Sequence, residues 1–246
     1  MIVEHIPAKF EKSLNEFVLT VRILLGDDLK SIILYGSAAR GEFDIKRSDL
    51  NLLVVFDQVE FHHLATLAPL TKKWHRQRIA TPLVVSPQYI SSALDVYPLE
   101  FLDMQSARRI LFGNAVLAEI NPPVQAIRRQ CEQEARGKLL HLREIVLETA
   151  LKPKHLQQAM ILSVPSFVRI GRHVLRLLEQ PPKMHAKEVI DELRKATQLP
   201  LEGLEIAWNI KTGDRKPPRS EITSFFETYL NDVFAITTFV DNLKVA

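Results

Sequence analysis

Leu34-Tyr35-Gly36-Ser37-Ala38-Ala39-Arg40-Gly41-Glu42, followed a few residues later by Ser48-Asp49-Leu50-Asn51-Leu52-Leu53-Val54-Val55, is the stretch on which the fold turns. Ser31 to Tyr35 and Leu50 to Phe56 are short apolar runs, each the length and composition of a buried strand. A strand that ends in Gly-Ser at the mouth of a short helix brings backbone N–H groups and a hydroxyl to one point. Such a point suits a phosphate. Gly36 permits close approach of the chain. Side chains two apart on a strand share a face, so Asp49 and Asn51 are expected to point toward that phosphate site, with Leu50 and Leu52 turned away.

Outward from this core, residues 10 to 27 predict an amphipathic helix, with Phe10, Leu14, Phe17, Val18, Val21, Leu24 and Leu25 at three- and four-residue steps. A polar and aromatic helix is expected over about 58 to 77. Pro82-Leu83-Val84-Val85 is a third strand candidate, started by Pro82 or placed at a sheet edge by it. The expected order is helix, strand, turn, strand, helix, strand. After Gly113 periodicity fades until Pro122-Pro123, which sets a boundary. Everything beyond reads as helix: 122 to 150, 154 to 179, 184 to 197, 200 to 208 and 220 to 243, punctuated by Pro181-Pro182 and Pro217-Pro218. The expectation is therefore two domains, residues 1–116 and 117–246: an α/β (α+β) domain with a small mixed sheet, then an all-α helical bundle.

Composition narrows the class. The chain has 246 residues, 46% of them apolar, enough for a real core. With 32 Lys+Arg against 29 Asp+Glu the formal charge is +3, spread along the sequence, which does not describe a non-specific nucleic-acid coat. The single cysteine, Cys131, cannot form an intrachain disulfide and has no Cys/His neighbours at zinc spacing. No apolar run approaches a spanning length and the N-terminus mixes charges into its first turns, so a cytoplasmic protein without a signal peptide is expected.

The Gly-Ser turn and the following strand resemble the nucleotidyltransferase superfamily, which includes aminoglycoside nucleotidyltransferases and the small bacterial minimal nucleotidyltransferases. The family pattern is Gly-Ser, about ten residues, then Asp-x-Asp. Gly36, Ser37, Arg40, Gly41, Ser48 and Asp49 match it, and the resemblance spans roughly residues 30 to 113. It implies a nucleotidyltransferase fold with ATP or another nucleoside triphosphate as substrate, held at Gly36, Ser37, Arg40 and Ser48. It also implies magnesium at Asp49 and at the position of Asn51. The acceptor of the nucleotidyl group is left open among small molecules, RNA and protein. A homodimer that builds the acceptor cleft between chains is left open too.

The sequence departs from the pattern in two places. The second aspartate is Asn51, whose amide oxygen is a weaker ligand; one nucleotide-bound magnesium could rest on Asp49, but a two-metal arrangement would lack its bridging charge. A third carboxylate is missing from Thr81-Pro82-Leu83-Val84-Val85-Ser86. Asp95, Glu100 and Asp103 follow soon after; Glu100, with Asp95 beside it, is the candidate base for a hydroxyl acceptor, against a plainer role in capping helices or pairing with Arg108 and Arg109. The expectation is a slow nucleotidyltransferase, with a catalytically inactive nucleotide-binding or regulatory module as the alternative.

Other features carry less. His62 and His63 are adjacent, face different ways on a helix and have no partner at zinc-motif spacing, so they read as structural. Arg136 and His141 have the spacing seen in HEPN helical bundles, some of which cut RNA, but Gly137 stands where a polar residue is expected. The basic segment Lys211 to Arg219 reads as a solvated connection between helices.

Overall fold

The computed structural model describes residues 6–43, 45, 48–183 and 185–245. The chain divides into two compact units, Met1–Pro122 and Pro123–Ala246.

In the first unit, α1 (Ala8–Leu25) buries Phe10, Leu14, Phe17, Val18, Val21 and Leu25 along one stripe. Leu24, which the spacing places near that stripe, is instead exposed. β1 (Leu29–Tyr35) and β2 (Asn51–Phe56) pair antiparallel, with Tyr35 opposite Asn51 and Leu29 opposite Phe56. β3 (Leu83–Val85) adds parallel to β2, and β4 (Arg108–Gly113) adds antiparallel to β1. The resulting order is β3-β2-β1-β4, a small mixed sheet.

Both central strands are buried on both faces, which explains why they read as continuous apolar runs rather than alternating ones. Ile32, Leu34, Leu52, Val54 and Phe56 pack with the α1 stripe. Ile33, Leu53 and Val55 pack on the other face, with Ile90 of α5 (Pro87–Ser92) and Phe101 and Met104 of α6 (Pro98–Ser106). Between β2 and β3 the chain forms α3 (Phe61–Leu67), a 3₁₀ turn (Ala68–Leu70) and α4 (Thr71–Arg76) rather than one helix over 58 to 77. Pro69 interrupts the ladder of helical N–H donors there.

The second unit is helical: α7 (Val124–Thr149), α8 (Pro153–Leu177), α9 (Ala186–Thr197), α10 (Glu202–Thr212) and α11 (Ile222–Asn242). α10 runs further than the expected 208 because Gly213, at φ 87°, supplies a left-handed cap. Its N-terminus lacks a side-chain cap from Leu201, and the buried Asp232 of α11 replaces it by accepting the Leu204 N–H at 2.9 Å. α10 and α11 also approach closely: a Cβ on Gly203 would lie 2.4 Å from the Tyr229 backbone. Gly203→Ala is therefore expected to cost about 2 kcal/mol or more, seen as a lower denaturation midpoint, since neither backbone can yield without separating the helices.

Burial raises the Asp232 carboxyl above the ordinary aspartate range, against the opposing pull of the Leu204 and Gly203 amides. A raised folded-state value means that this group's contribution to stability is complete below the unfolded value and is lost as pH rises through the folded one. Asp232→Asn removes that contribution. The stability of wild type relative to the variant is thus expected to fall as pH climbs from about 3.8 upward, measured by urea unfolding at several pH values. Among the described residues, no helix is long and apolar enough to cross a membrane.

Candidate functional site

The end of β1 delivers the chain to Gly36 at φ 79° and ψ −150°, a conformation that strains any residue with a Cβ. Its N–H donates to the Ala107 carbonyl at 3.2 Å, tying the turn to the end of α6. A short helix, α2 (Ser37–Arg40), follows and is closed by Gly41 in the left-handed region. The Gly36 carbonyl accepts from Ala39 and Arg40 at 3.1 and 3.0 Å. The amides of Ser37 and Ala38 thus lie ahead of the helix's first internal bonds, where a phosphate oxygen would be met.

Asn51 opens β2 directly opposite Tyr35, and its amide nitrogen would stand 3.2 Å from a Cβ placed on Gly36. The structure therefore brings Asn51 against the glycine turn. Arg40, at the end of α2, is mostly covered. Its Nε is 3.4 Å from Glu42 Oε2, yet Nε and Nη1 are buried without a hydrogen-bond partner among the described residues. A buried guanidinium in that state is suited to an anion's oxygens.

Asp49 is more exposed, and its Oδ1 forms an ion pair with Arg78 Nε at 3.0 Å. Arg78 holds this segment from three atoms. Its carbonyl accepts the Leu50 N–H at 2.8 Å, its Nη2 donates to the Ser48 carbonyl at 2.8 Å, and Nε meets Asp49. It does so from a left-handed backbone, φ 63°, an unusual conformation for a long side chain. Sequence reading missed Arg78 because it sits 29 residues beyond Asp49 and is brought there by the Leu50–Ile79 bridge. Arg78→Ala is expected to cost about 1 kcal/mol, mainly from the unmet Ser48 carbonyl, the half-exposed ion pair adding little. Chemical denaturation would read it.

Residues 14–113 match the family described as the nucleotidyltransferase domain. This segment is a nucleotidyltransferase-like domain. Among solved structures, the chain is similar to the crystal structure of spectinomycin adenyltransferase AAD(9) from Enterococcus faecialis with ATP and spectinomycin. That likeness covers 91% of this chain and 99% of the other at 12% identity and a TM-score of 0.55, and at such identity it is one of fold. No curated protein matches the sequence.

Within the nucleotidyltransferase-like domain, the remaining acids lie as follows. β3 carries no carboxylate, and Asp95 is exposed in the link before α6. Glu100 stands half-buried in the first turn of α6, nearly two turns before the Ala107 carbonyl that receives Gly36. Asp103 is half-buried one turn later on the same helix. The donor set suits one cation better than two. Asp49 offers its second oxygen and Asn51 an amide oxygen, but no second carboxylate stands on β2 or β3 to bridge a pair of ions.

In the helical unit, Arg136 pairs with Glu132 at 2.8 Å and Asp241 at 2.8 Å. Five residues along a helix rotate by roughly 500°, so Arg136 and His141 lie on different faces, and His141 meets Glu144 instead at 3.4 Å. Arg136 and His141 thus have separate partners.

Proposed function

We propose that the nucleotidyltransferase-like domain binds a nucleoside triphosphate at the Gly36–Ser37 turn and passes its nucleotidyl group, slowly, to a hydroxyl-bearing small molecule. The observation that carries this reading is the juxtaposition of Asn51 with the positive-φ Gly36 turn, the arrangement in which a strand's first residue faces a phosphate cradle.

The Ser37 and Ala38 amides hold phosphate oxygens, and the Arg40 guanidinium offsets their charge. Ser48 and Asp49 are held in register by Arg78. Asp49 Oδ2 and the Asn51 amide oxygen would hold one magnesium ion, which when bound supplies neutralisation of the triphosphate. The acceptor oxygen attacks the α-phosphorus, pyrophosphate leaves, and the acceptor's hydroxyl proton goes to Glu100. A small-molecule acceptor is supported by the fold likeness to an adenyltransferase crystallised with ATP and spectinomycin.

A second reading, nucleotide binding without transfer, is favoured by a specific observation: the one carboxylate of the motif is already paired with Arg78. Labelled ATP and magnesium, incubated with wild type and with pooled hydroxyl acceptors including spectinomycin, separate the two. Label transfer that is lost in Asp49→Ala and slowed in Glu100→Gln is the expected result. Tight binding with no label transfer would establish the second reading.

A further inference from the structure

β1 and β2 end, at the side away from Gly36, in a second cluster of polar groups about 20 Å along the strands. Asp28 precedes β1, Asp57 follows β2, and the Asp57 N–H donates to the Asp28 carbonyl at 3.2 Å. Because α3 begins at Phe61, His62 and His63 fall in its first turn, beside these strand ends. They do not diverge as their adjacency suggests: their rings lie 3.9 Å apart and both reach Asp28.

His63 is buried and stacked on Phe56 at 4.2 Å, with Nε2 3.2 Å from Asp28 Oδ2. His62 is half-exposed, with Nε2 3.8 Å from the same oxygen and Nδ1 3.3 Å from Glu60 Oε2. The three donor atoms all lie within 4.8 Å of one another. A cleft of about 300 Å³, lined by Asp28, Asp57, Gln58, Glu60 and His63, opens beside them.

We propose that Asp28, His62 and His63 form a binding site for a divalent transition metal of the zinc class. Zinc takes imidazole nitrogen and carboxylate oxygen at about 2.0–2.2 Å, which in a tetrahedron sets donors roughly 3.3 Å apart. The observed 3.2 and 3.8 Å to Asp28 lie near that edge, and the imidazole pair, within 4.8 Å, closes onto it by rotation of the exposed His62 ring. Two imidazoles select zinc, cobalt, nickel or copper over magnesium. Glu60 Oε2, 3.3 Å from His62 Nδ1, is placed to take that nitrogen's proton when Nε2 is the ligand atom, the carboxylate–histidine–metal arrangement that fixes a ligand's tautomer.

His63 behaves differently. Its Nδ1 accepts the Glu60 N–H at 3.0 Å, so in the metal-free protein its proton is on Nε2 and is given to Asp28. Metal binding moves that proton to Nδ1 through solvent, the ring staying neutral, and gives up this one capping bond. The fourth position of the ion faces the cleft, where water or a small anion completes the tetrahedron.

The test uses the full chain, stripped of metal and titrated with cobalt(II) followed by visible absorption, then with zinc by calorimetry and magnesium as control. Expected are one cobalt per chain with tetrahedral bands, displacement by zinc, and no displacement by magnesium. Since His63 is buried, exposed His62 carries the mutational arm: His62→Ala and Asp28→Asn are each expected to weaken binding at least about tenfold with unchanged circular dichroism. Asp49→Ala is expected to leave the cobalt spectrum intact, which separates this site from the nucleotide site. Absence of cobalt or zinc binding by wild type, or binding unchanged in both His62→Ala and Asp28→Asn, would overturn the proposal.

Discussion

Gly36→Val is expected to weaken nucleoside triphosphate binding by more than about tenfold and to lower stability by about 2 kcal/mol. Both effects have one cause. A β-branched residue at φ 79° and ψ −150° is strained by roughly 1–3 kcal/mol, and its first carbon would press on the Asn51 amide at 3.2 Å. Relief requires rotation of Gly36, which is anchored by its N–H to Ala107 and whose carbonyl starts α2. Moving it turns the Ser37 and Ala38 amides off the phosphate. Nucleotide titration beside urea denaturation measures the two losses; binding unchanged by the substitution would place the phosphate elsewhere.

Asn51→Asp is expected to raise nucleotidyl transfer on the order of 10²-fold, the scale of one electrostatic partner in a preorganised site. The new carboxylate occupies the same side chain's position at the start of β2, opposite Tyr35, so nothing in the sheet has to move. It adds a second negative charge beside Asp49, which the Arg78 guanidinium and the bound cation offset. Single-turnover kinetics with labelled ATP would show the gain in the chemical step. An unchanged rate would mean that the missing carboxylate on β3, not the amide at 51, limits the chemistry.

The parts of this fold that were legible in the sequence are those decided by short-range pattern. The α1 stripe, the two apolar strands and the Gly-Ser turn between them follow from periodicity and from the need for a residue without a Cβ at Gly36. The five helices of the second unit were framed by the proline pairs, although the Gly213 cap that carries α10 to Thr212 was not read. What was not legible depends on partners far along the chain. β4 opens with Arg108 and Arg109 and alternates weakly, so only its pairing with β1 makes it a strand. α5 and α6 are short and start on prolines after Ser86 and Tyr97, which read equally as loop.

At the site, the same division holds. The facing of Asn51 toward the turn follows from the two-residue period of a strand, whereas the Arg78 contact with Asp49 requires the Leu50–Ile79 bridge and a left-handed arginine. No local signal encodes either. The convergence of His62 and His63 on Asp28 depends likewise on where α3 begins and on the return of β2 to the level of Asp28.

The nucleotide site is tested most directly by equilibrium binding of labelled ATP, with magnesium, to wild type and to Asp49→Ala, both checked for intact fold by circular dichroism. Wild type is expected to bind saturably and the variant at least about tenfold more weakly, since Asp49 is the one carboxylate of the Ser48-Asp49-Leu50-Asn51 segment. No binding by wild type, or equal binding by the two proteins, would contradict it.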